Sequence, residues 1–330
     1  MPQAKQINTV TGPVDIDRLG PTLMHEHLVI GFAGWESDTL HPGPTRNQMI
    51  AICCDKVRQM QECGVRSMVD PCPNDLGRDV TLAAEVASRT GFNIICATGL
   101  YKQDEGGLPY WHFRGRFGSI VDTLAEMFVR ELTVGIGDTG IKAGLIKVAA
   151  GPQEITTYER SVLQAAAIAS KETGAPITTH TDGGKLGDLQ QEILNGHGVA
   201  SHKILIGHSC GTTDHDYHLK IIRGGSYLGF DRFGYESLMP DADRTKSLAA
   251  LLRKKHERQL IVSHDSVWCW RGEPLPEHIV KMIDYSVFGS PTHFHRNIVP
   301  QLLEQGVTQA QLDTMLIDNP RRFFAGDAVL

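Results

Sequence analysis

Thr22-Leu23-Met24-His25-Glu26-His27 is the first strand-like run of this 330-residue chain, and it ends in two histidines. Side chains two residues apart on a strand point to the same side, so His25 and His27 can bind one metal ion together. An open, doubly wound α/β sheet usually has a glycine-rich phosphate-binding turn after its first strand. The histidine pair occupies that position here, which favours a closed barrel over an open sheet.

Apolar, β-branched runs alternate with segments of helical spacing along the whole chain. The strand-like runs are Thr22–His27, Arg66–Pro71, Asn93–Leu100, Leu145–Ala149, Pro176–His180, Ile204–His208, Ser226–Phe230 and Gln259–His264. Eight strands that alternate with helices predict a parallel sheet. We therefore predict an α/β fold in which residues 1–330 form a single (β/α)8 TIM barrel, with an open doubly wound sheet as the alternative.

The composition excludes several classes of protein. The net charge is −6 and the longest basic stretch is Arg253-Lys254-Lys255, so nucleic acid is not an expected partner. No apolar run approaches the roughly 20 residues that a membrane-spanning helix needs. Residues 1–6 lack the apolar core of a signal peptide, and the seven cysteines form no CxxC pair. These features predict a cytoplasmic protein with buried, reduced thiols and no membrane partner.

Side chains that bind metals stand at the ends of several strand-like runs. Beyond the first histidine pair they are Lys147 on the fourth run, His180 on the fifth, His208 on the sixth and Asp265 after the eighth. In a TIM barrel, catalytic side chains come from the C-terminal ends of different strands. Each residue alone has an ordinary explanation, such as a hydrogen-bonded core histidine, a helix-capping aspartate or a lysine whose amine reaches solvent. Together they predict a hydrolytic metal site.

Lys147 has only apolar neighbours, in the run Leu145-Ile146-Lys147-Val148-Ala149. Desolvation and the positive charge of nearby cations both disfavour an ammonium group there, lower the pKa of the lysine and leave a nucleophilic amine. Carbon dioxide can convert such an amine into a carbamate, whose two oxygen donors can bridge two cations. We therefore predict that Lys147 is carboxylated and binds metal.

Asp265 has two predicted roles, because a carboxylate in a metal site can bind the ion and also accept a proton from bound water. Its neighbour His264 points to the opposite side of the chain and is predicted to be structural. Glu26, between the two histidines of the first run, should point away from the metals. The remaining histidines fall in helical or loop segments and are expected to be surface or packing residues.

At these residues the chain resembles the phosphotriesterase family of the amidohydrolase superfamily. The opening from Gly12-Pro13-Val14-Asp15 to the first histidine pair is similar to that of the family, as is the closing segment Asp318-Asn319-Pro320-Arg321-Arg322-Phe323-Phe324. The blocks around the later metal-type residues match in order and approximate spacing, so the likeness covers nearly the whole chain.

The resemblance implies a centre of two divalent metal ions. The carried-over ligands are His25, His27 and Asp265 for the buried ion, and His180 and His208 for the more exposed ion. Carboxylated Lys147 and a hydroxide would bridge the two. Imidazole and carboxylate ligands suit zinc, which we expect, and also iron, cobalt or manganese. The resemblance also implies a homodimer.

Two turns resemble those of the phosphotriesterase-like lactonases within this family. Thr98-Gly99-Leu100-Tyr101 is similar to a lactonase turn whose tyrosine leans on the site. Gly229-Phe230-Asp231-Arg232-Phe233-Gly234 is similar to the end of strand 7 in lactonases, with its arginine. Tyr101 would orient the substrate, and Arg232 would contact the lactone or help to hold the loop. After strand 8, Trp268 and Trp270 are predicted to form an apolar wall for an acyl chain, with ordinary loop packing as the alternative.

The resulting prediction is a metal-dependent hydrolase that opens acyl-homoserine or other γ- and δ-lactones and hydrolyses organophosphate triesters as a side reaction. The enzymatic alternatives are a dedicated phosphotriesterase (aryldialkylphosphatase) or another carboxylesterase. TatD-like nucleases also have HxH barrels, but Lys147 and the lack of a basic phosphate-binding stretch argue against that class. The non-enzymatic alternative is a barrel that acts as a binding or scaffold protein.

Overall fold

Parallel strands build a barrel that is preceded by a short antiparallel hairpin. The computed structural model describes residues 5–107 and 109–328. Its strands are β1 (Gln6–Thr9), β2 (Gly12–Asp15), β3 (Thr22–Leu23), β4 (Glu26–Ile30), β5 (Ser67–Asp70), β6 (Asn93–Gly99), β7 (Leu145–Lys147), β8 (Ile177–Thr178), β9 (Ile204–Ile206), β10 (Tyr227–Phe230), β11 (Leu260–Val262) and β12 (Ser266–Trp270). Residues 1–4, on which part of the expectation about a signal peptide rests, lie outside the described residues.

The barrel closes through the C-terminal extensions of its first and last strands. Eight strands form a continuous parallel sheet in the order β3-β5-β6-β7-β8-β9-β10-β11. β4 continues the first barrel strand beyond β3, β12 continues the last beyond β11, and these two extensions pair in parallel, with Ser266 opposite Glu26. The amide of Asp265 also donates a hydrogen bond to the carbonyl of His25 (2.9 Å). The predicted (β/α)8 TIM barrel is confirmed, and the open doubly wound sheet is wrong.

Helices connect the barrel strands and cover the outside of the sheet. They are α1 (Arg46–Glu62), α2 (Val80–Thr90), α3 (Pro109–Gly115), α4 (Val121–Thr133), α5 (Thr157–Thr173), α6 (Gly187–Gly196), α7 (His215–Arg223), α8 (Asp241–Arg253), α9 (Glu277–Val280), α10 (Tyr285–Phe288), α11 (Val299–Glu304), α12 (Gln309–Asp313) and α13 (Asn319–Ala325). Thr45 starts α1 with a capping box, in which its hydroxyl accepts from the Gln48 amide and its own amide donates to the Gln48 side chain. Within the described residues, every helix is too short or too polar to reach across a lipid bilayer.

The two-residue period of the strands brings the functional groups to the mouth of the barrel. In β7, Leu145 packs in the barrel interior and Ile146 packs in the layer between barrel and helices. Lys147 is therefore turned inward again. Met24 and Ile261 belong to the same interior cluster as Leu145. These apolar side chains fill the barrel below the lysine, which is only 2% exposed, so the site lies on a packed floor at the C-terminal end of the strands.

The observed strands are shorter than the runs that predicted them. The fifth and sixth runs end at His180 and His208, whereas β8 ends at Thr178 and β9 at Ile206. The eighth run likewise extends beyond β11, which ends at Val262. Hydrophobic runs mark which residues are buried, but the chain leaves the strand ladder before His180, His208 and Asp265, whereas His27 and Lys147 lie within strands.

Candidate metal centre

Four buried side chains converge on one point at the mouth of the barrel. His25 Nε2 lies 3.2 Å from Lys147 Nζ and 3.3 Å from Asp265 Oδ1, and His27 Nε2 lies 3.2 Å from the same aspartate oxygen. Donor atoms that share one ion at about 2.0–2.2 Å lie about 3.0–3.5 Å apart. These distances fit donors that share a metal ion, and His25, Asp265 and His208 also form a group whose donor atoms all lie within 4.8 Å of one another.

His180 and His208 complete the cluster next to His25 and Asp265. The ring centres of His180 and His208 are 4.6 Å apart, as are those of His25 and His208. His208 Nε2 lies 3.7 Å from the second oxygen of Asp265. The structure thus brings together all six side chains that the sequence singled out as metal ligands, and two of them remain for a second ion.

His208 and Asp265 both adopt a left-handed backbone conformation, with φ of 57°. This conformation costs free energy in residues other than glycine, although aspartate and histidine adopt it more often than most. At each residue the chain changes direction, two residues after the end of β9 or three residues after the end of β11. Left-handed non-glycine residues often occur at functional sites, where the surrounding structure imposes them.

Burial and neighbouring charges together set the charge of the groups at the centre of the cluster. Burial lowers the pKa of the Lys147 amine to about 8, so a neutral, nucleophilic amine is accessible. Burial alone would raise the pKa of the Asp265 carboxyl, but His208, His25 and Arg232 around it outweigh that effect and lower the pKa well below its usual range. Asp265 is therefore an ionised carboxylate, as a metal ligand must be.

Asp231 is a central residue to which the sequence analysis assigned no role. Its Oδ1 accepts hydrogen bonds from the amide (2.8 Å) and from Nδ1 (3.0 Å) of His208, and its Oδ2 lies 3.2 Å from His25 Nδ1. One buried carboxylate thus orients two histidines and leaves their Nε2 atoms to face the cluster. Carboxylates commonly hold metal-binding histidines in this way.

Asp70 is a second such residue, and it acts on His27. Its Oδ1 lies 3.3 Å from His27 Nδ1, and its Oδ2 accepts from the amide of Leu28 (3.3 Å). Asp70 and Asp231 stand at the C-terminal ends of the second and seventh barrel strands. The rule that found the other groups, a polar residue where a buried strand ends, could have found these two.

Glu26 faces away from the cluster and fastens the first barrel strand to the last. Its carboxylate accepts hydrogen bonds from Ser263 Oγ (2.7 Å), His264 Nδ1 (2.6 Å) and the hydroxyl of Ser266. His264 in turn accepts from the amide of Phe294 (2.9 Å) through Nε2. Glu26 and His264 thus support the strands that carry the metal-type residues and take no place among them.

The cluster opens into a cavity of about 590 Å³. Tyr101 and Arg232 stand beside the cluster: the tyrosine hydroxyl lies 3.3 Å from His180 Nδ1, and Arg232 Nε donates to Asp265 Oδ2 (2.8 Å). Tyr235 donates to the Asp265 carbonyl (2.8 Å). Apolar side chains also line the cavity: Phe32, Leu76, Val267, Trp270, Ile283 and Phe288. The arrangement offers polar groups at the cluster and an apolar surface next to it.

Trp268 does not have the place that the sequence predicted. Among the described residues that line the cavity, Trp270 is present and Trp268 is not. Trp268 is buried, packs in the layer between barrel and helices, and donates from its indole nitrogen to Ser266 Oγ (2.8 Å). Trp268 and Trp270 stand two residues apart on β12 and both line a second cavity, and only Trp270, at the end of the strand, also lines the cavity at the cluster. The prediction that Trp268 lines the cavity at the metal-type cluster is therefore wrong, and its side chain packs in the core beside that cavity.

Comparison with known proteins places this geometry in a family. Residues 5–324 match the model of the Phosphotriesterase family. A phosphotriesterase homology protein of Mycobacterium tuberculosis is 38% identical over 325 residues, which cover 97% of either chain. The solved organophosphorus hydrolase of Deinococcus radiodurans superposes with a TM-score of 0.92 at 38% identity and covers 98% of each chain. A mutant PTE-like lactonase from the same organism gives a TM-score of 0.90 at 37% identity, covering 96% of this chain and 99% of its own.

Proposed function

The chain belongs to the phosphotriesterase family, and we propose that residues 1–330 form one hydrolase domain that opens lactones and hydrolyses organophosphate triesters more slowly. Membership makes it a metal hydrolase, so neither a TatD-like nuclease nor a scaffold protein describes it. The observation that carries the lactonase proposal is the cavity, where Tyr101 and Arg232 flank the metal-type cluster and an apolar wall begins at once beside them.

We propose that two divalent ions, zinc in the first instance, occupy this centre when the enzyme is loaded. His25, His27 and Asp265 would hold one ion and His180 and His208 the other. When bound, the ions supply Lewis-acid activation of a water molecule and of the attacked carbonyl. Lys147 would contribute two oxygen donors after its amine adds to the carbon of carbon dioxide, which forms an N–C bond and releases a proton.

The protein side chains have separate roles in this proposal. Asp265, already ionised, accepts the proton from the attacking water. Arg232 holds Asp265 through its 2.8 Å hydrogen bond and presents the rest of its guanidinium group to the lactone. Tyr101 orients the substrate, and the apolar side of the cavity around Trp270 binds the acyl chain and excludes water.

A dedicated organophosphate triesterase is the second candidate, and another carboxylesterase is the third. A phosphotriester also has a polarised oxygen on its electrophilic centre and can place it where a lactone carbonyl would lie. The relative with a TM-score of 0.92 is named an organophosphorus hydrolase, which favours this candidate over a general esterase. Only the substrate differs between the candidates, so a rate comparison distinguishes them.

We expect kcat/KM to rise with acyl chain length along a series of acyl-homoserine lactones. Each methylene that becomes buried against the apolar wall contributes about 0.8 kcal/mol at most. The increase should stop where the wall ends. Unsubstituted γ- and δ-lactones and an aryl dialkyl phosphate, measured with the same zinc-loaded enzyme, should be slower. A triester preferred tenfold or more over every lactone would overturn the lactonase proposal and support the triesterase.

Trp270→Ala should lower kcat/KM for long-chain lactones more than for short-chain lactones, because only long chains reach the wall that Trp270 helps to form. Trp268→Phe is the matched control, since Trp268 does not line the cavity at the cluster and phenylalanine keeps an aromatic ring in its place. The ratio of kcat/KM for long and short chains is the measurement. If both variants change that ratio equally, the proposal that Trp270 contacts the acyl chain and Trp268 does not is contradicted.

We also propose a cytoplasmic homodimer. All seven cysteines lie in the described part of the chain, none is in a disulfide and all but Cys63 are buried, which suits a reducing compartment.

Tyr110, Phe113 and Phe117, on and just after α3, are exposed aromatic side chains that a second copy could cover. Sedimentation equilibrium should give twice the chain mass of 36.3 kDa, and a mass of one chain would contradict the dimer.

A further inference from the structure

A chain of charged groups links the loop after β6 to one of the metal-type histidines. His180 Nε2 lies 2.7 Å from Asp182 Oδ1, the other oxygen of Asp182 accepts from Lys102 Nζ (2.6 Å), and Lys102 also pairs with Glu105 (2.8 Å). His180 and Asp182 follow β8, whereas Lys102 and Glu105 follow β6. None of the three charged residues belongs to the proposed ligand set, yet all line the cavity.

The bond to Asp182 decides which nitrogen of His180 is free. A carboxylate accepts hydrogen bonds only, so the Nε2–H donates and Nδ1 keeps the lone pair. The hydroxyl of Tyr101 lies beside the same edge of the ring, 3.3 Å from Nδ1 and 3.5 Å from Nε2, so the bond to Asp182 is the contact that distinguishes the two nitrogens. When a metal-binding histidine donates its second N–H to a carboxylate, the ring orientation is fixed and the coordinating nitrogen becomes more basic.

Lys102 has the position needed to hold Asp182 in place. The Asp182 side chain is 27% exposed and could rotate away, whereas the Lys102 side chain is only 9% exposed. The main chain of Lys102 is itself fixed, because its carbonyl accepts from the amides of Gly106 and Gly107, both at 2.9 Å. The ammonium between two carboxylates therefore ties Asp182 to a closed turn.

We propose that Asp182 is a positioning residue that fixes His180 with Nδ1 as its metal-binding atom, and that Lys102 keeps Asp182 in this role. The inference rests on the proposed function in so far as His180 is a metal ligand. Its consequence is a coupling between two parts of the site, because Lys102 directly follows Tyr101. A change that makes the turn from Tyr101 to Gly107 less ordered then lowers the affinity for the ion held by His180. In the other direction, loss of that ion makes the turn that orients the substrate less ordered.

The expected effect falls on one of the two ions. Loss of an outer hydrogen-bond partner of a metal ligand typically costs about 10–100-fold in metal affinity or activity. Asp182→Asn should therefore lower the affinity for one ion by about tenfold or more and leave the affinity for the other ion unchanged. Lys102→Met should act in the same direction by a smaller factor, and because the turn also carries Tyr101 it should raise KM as well as lower kcat.

The test combines a metal-free and a metal-loaded measurement. In metal-free protein with 15N-labelled histidine, the ring nitrogen shifts of His180 report its tautomer, and a His180→Gln variant identifies the signal. Competition with a chromophoric chelator then gives both zinc affinities. The matched control is Asp188→Asn, which removes another aspartate–lysine pair, formed with Lys220 at 2.5 Å on the surface of α6 and α7.

We expect both wild type and Asp188→Asn to have His180 in the Nε2–H form. We also expect Asp188→Asn to bind each of the two zinc ions with the same affinity as wild type. In Asp182→Asn, His180 should be a mixture of the two tautomers, and one of the two zinc ions should bind with lower affinity. An Nε2–H tautomer and zinc affinities within twofold of wild type in Asp182→Asn would overturn the positioning role while leaving the proposed function intact. If Asp182→Asn does not fold, as judged by near-UV circular dichroism, Lys102→Met decides by the same criteria. If the wild-type protein does not bind two zinc ions, that result would instead refute the proposed function.

Discussion

Replacing Lys147 by alanine is expected to remove nearly all hydrolytic activity and at least part of the bound metal. Lys147 Nζ lies 3.2 Å from His25 Nε2, so its carbamate would stand among the other donors. The expected loss in kcat/KM exceeds about 10²-fold, since losing only an outer partner of a ligand already costs about 10–100-fold. Steady-state kinetics with a lactone and the metal content per chain are the two measurements.

Companion variants separate the lost donor from other effects. Lys147→Met fills the same buried space without a donor and should be equally inactive, whereas Lys142→Ala, in the loop before the same strand, should keep full activity. Small carboxylic acids added to Lys147→Ala can place oxygen atoms in the vacated space and should restore part of the rate. Full activity of Lys147→Ala would refute the bridging carbamate.

Asp265→Asn is expected to lower kcat by about 10²-fold or more, which is the scale of lost acid–base catalysis. The substitution keeps the size of the side chain and removes its charge and basicity. Asparagine also tolerates the left-handed conformation of this position, with φ of 57°, so the backbone should remain unchanged. The measurement is kcat at saturating lactone, after reconstitution with excess zinc and determination of the bound metal.

The zinc determination is needed because asparagine is also a weaker ligand than aspartate. Asp55→Asn, on the exposed face of α1, serves as the control and should keep wild-type kcat. If Asp265→Asn holds both ions and retains at least half of the wild-type rate, Asp265 is not the proton acceptor.

The strand-end rule reached six side chains of the site but missed two others that obey it. Asp70 and Asp231 end barrel strands just as His180 and His208 do, and each lies against a metal-type histidine. A carboxylate at a strand end is ambiguous in sequence, since it can bind metal, cap a helix or hold a histidine. Only the distances in the folded protein, from Asp70 to His27 and from Asp231 to His25 and His208, show that these two carboxylates hold histidines.

Trp268 shows a different limit of sequence reasoning. The tryptophan-rich segment after strand 8 indicated an apolar wall, and Trp270 does line the cavity. The two tryptophans stand two residues apart on β12, so the alternation of the strand gives them the same side, and both line a second cavity. Hydrophobicity could not tell which tryptophan faces the cavity, because both are buried or nearly so.

The sequence by itself determined the eight barrel strands and the metal-type residues near their ends. These features follow from local properties: the two-residue period of a strand, the spacing of helices and the burial of apolar runs. The tertiary structure alone decided how the barrel closes through β4 and β12, how Asp231 reaches His25, and how Lys102 reaches Asp182. Those partners stand far apart in the chain, and their contacts depend on strand register and left-handed turns, which no local pattern of side chains encodes.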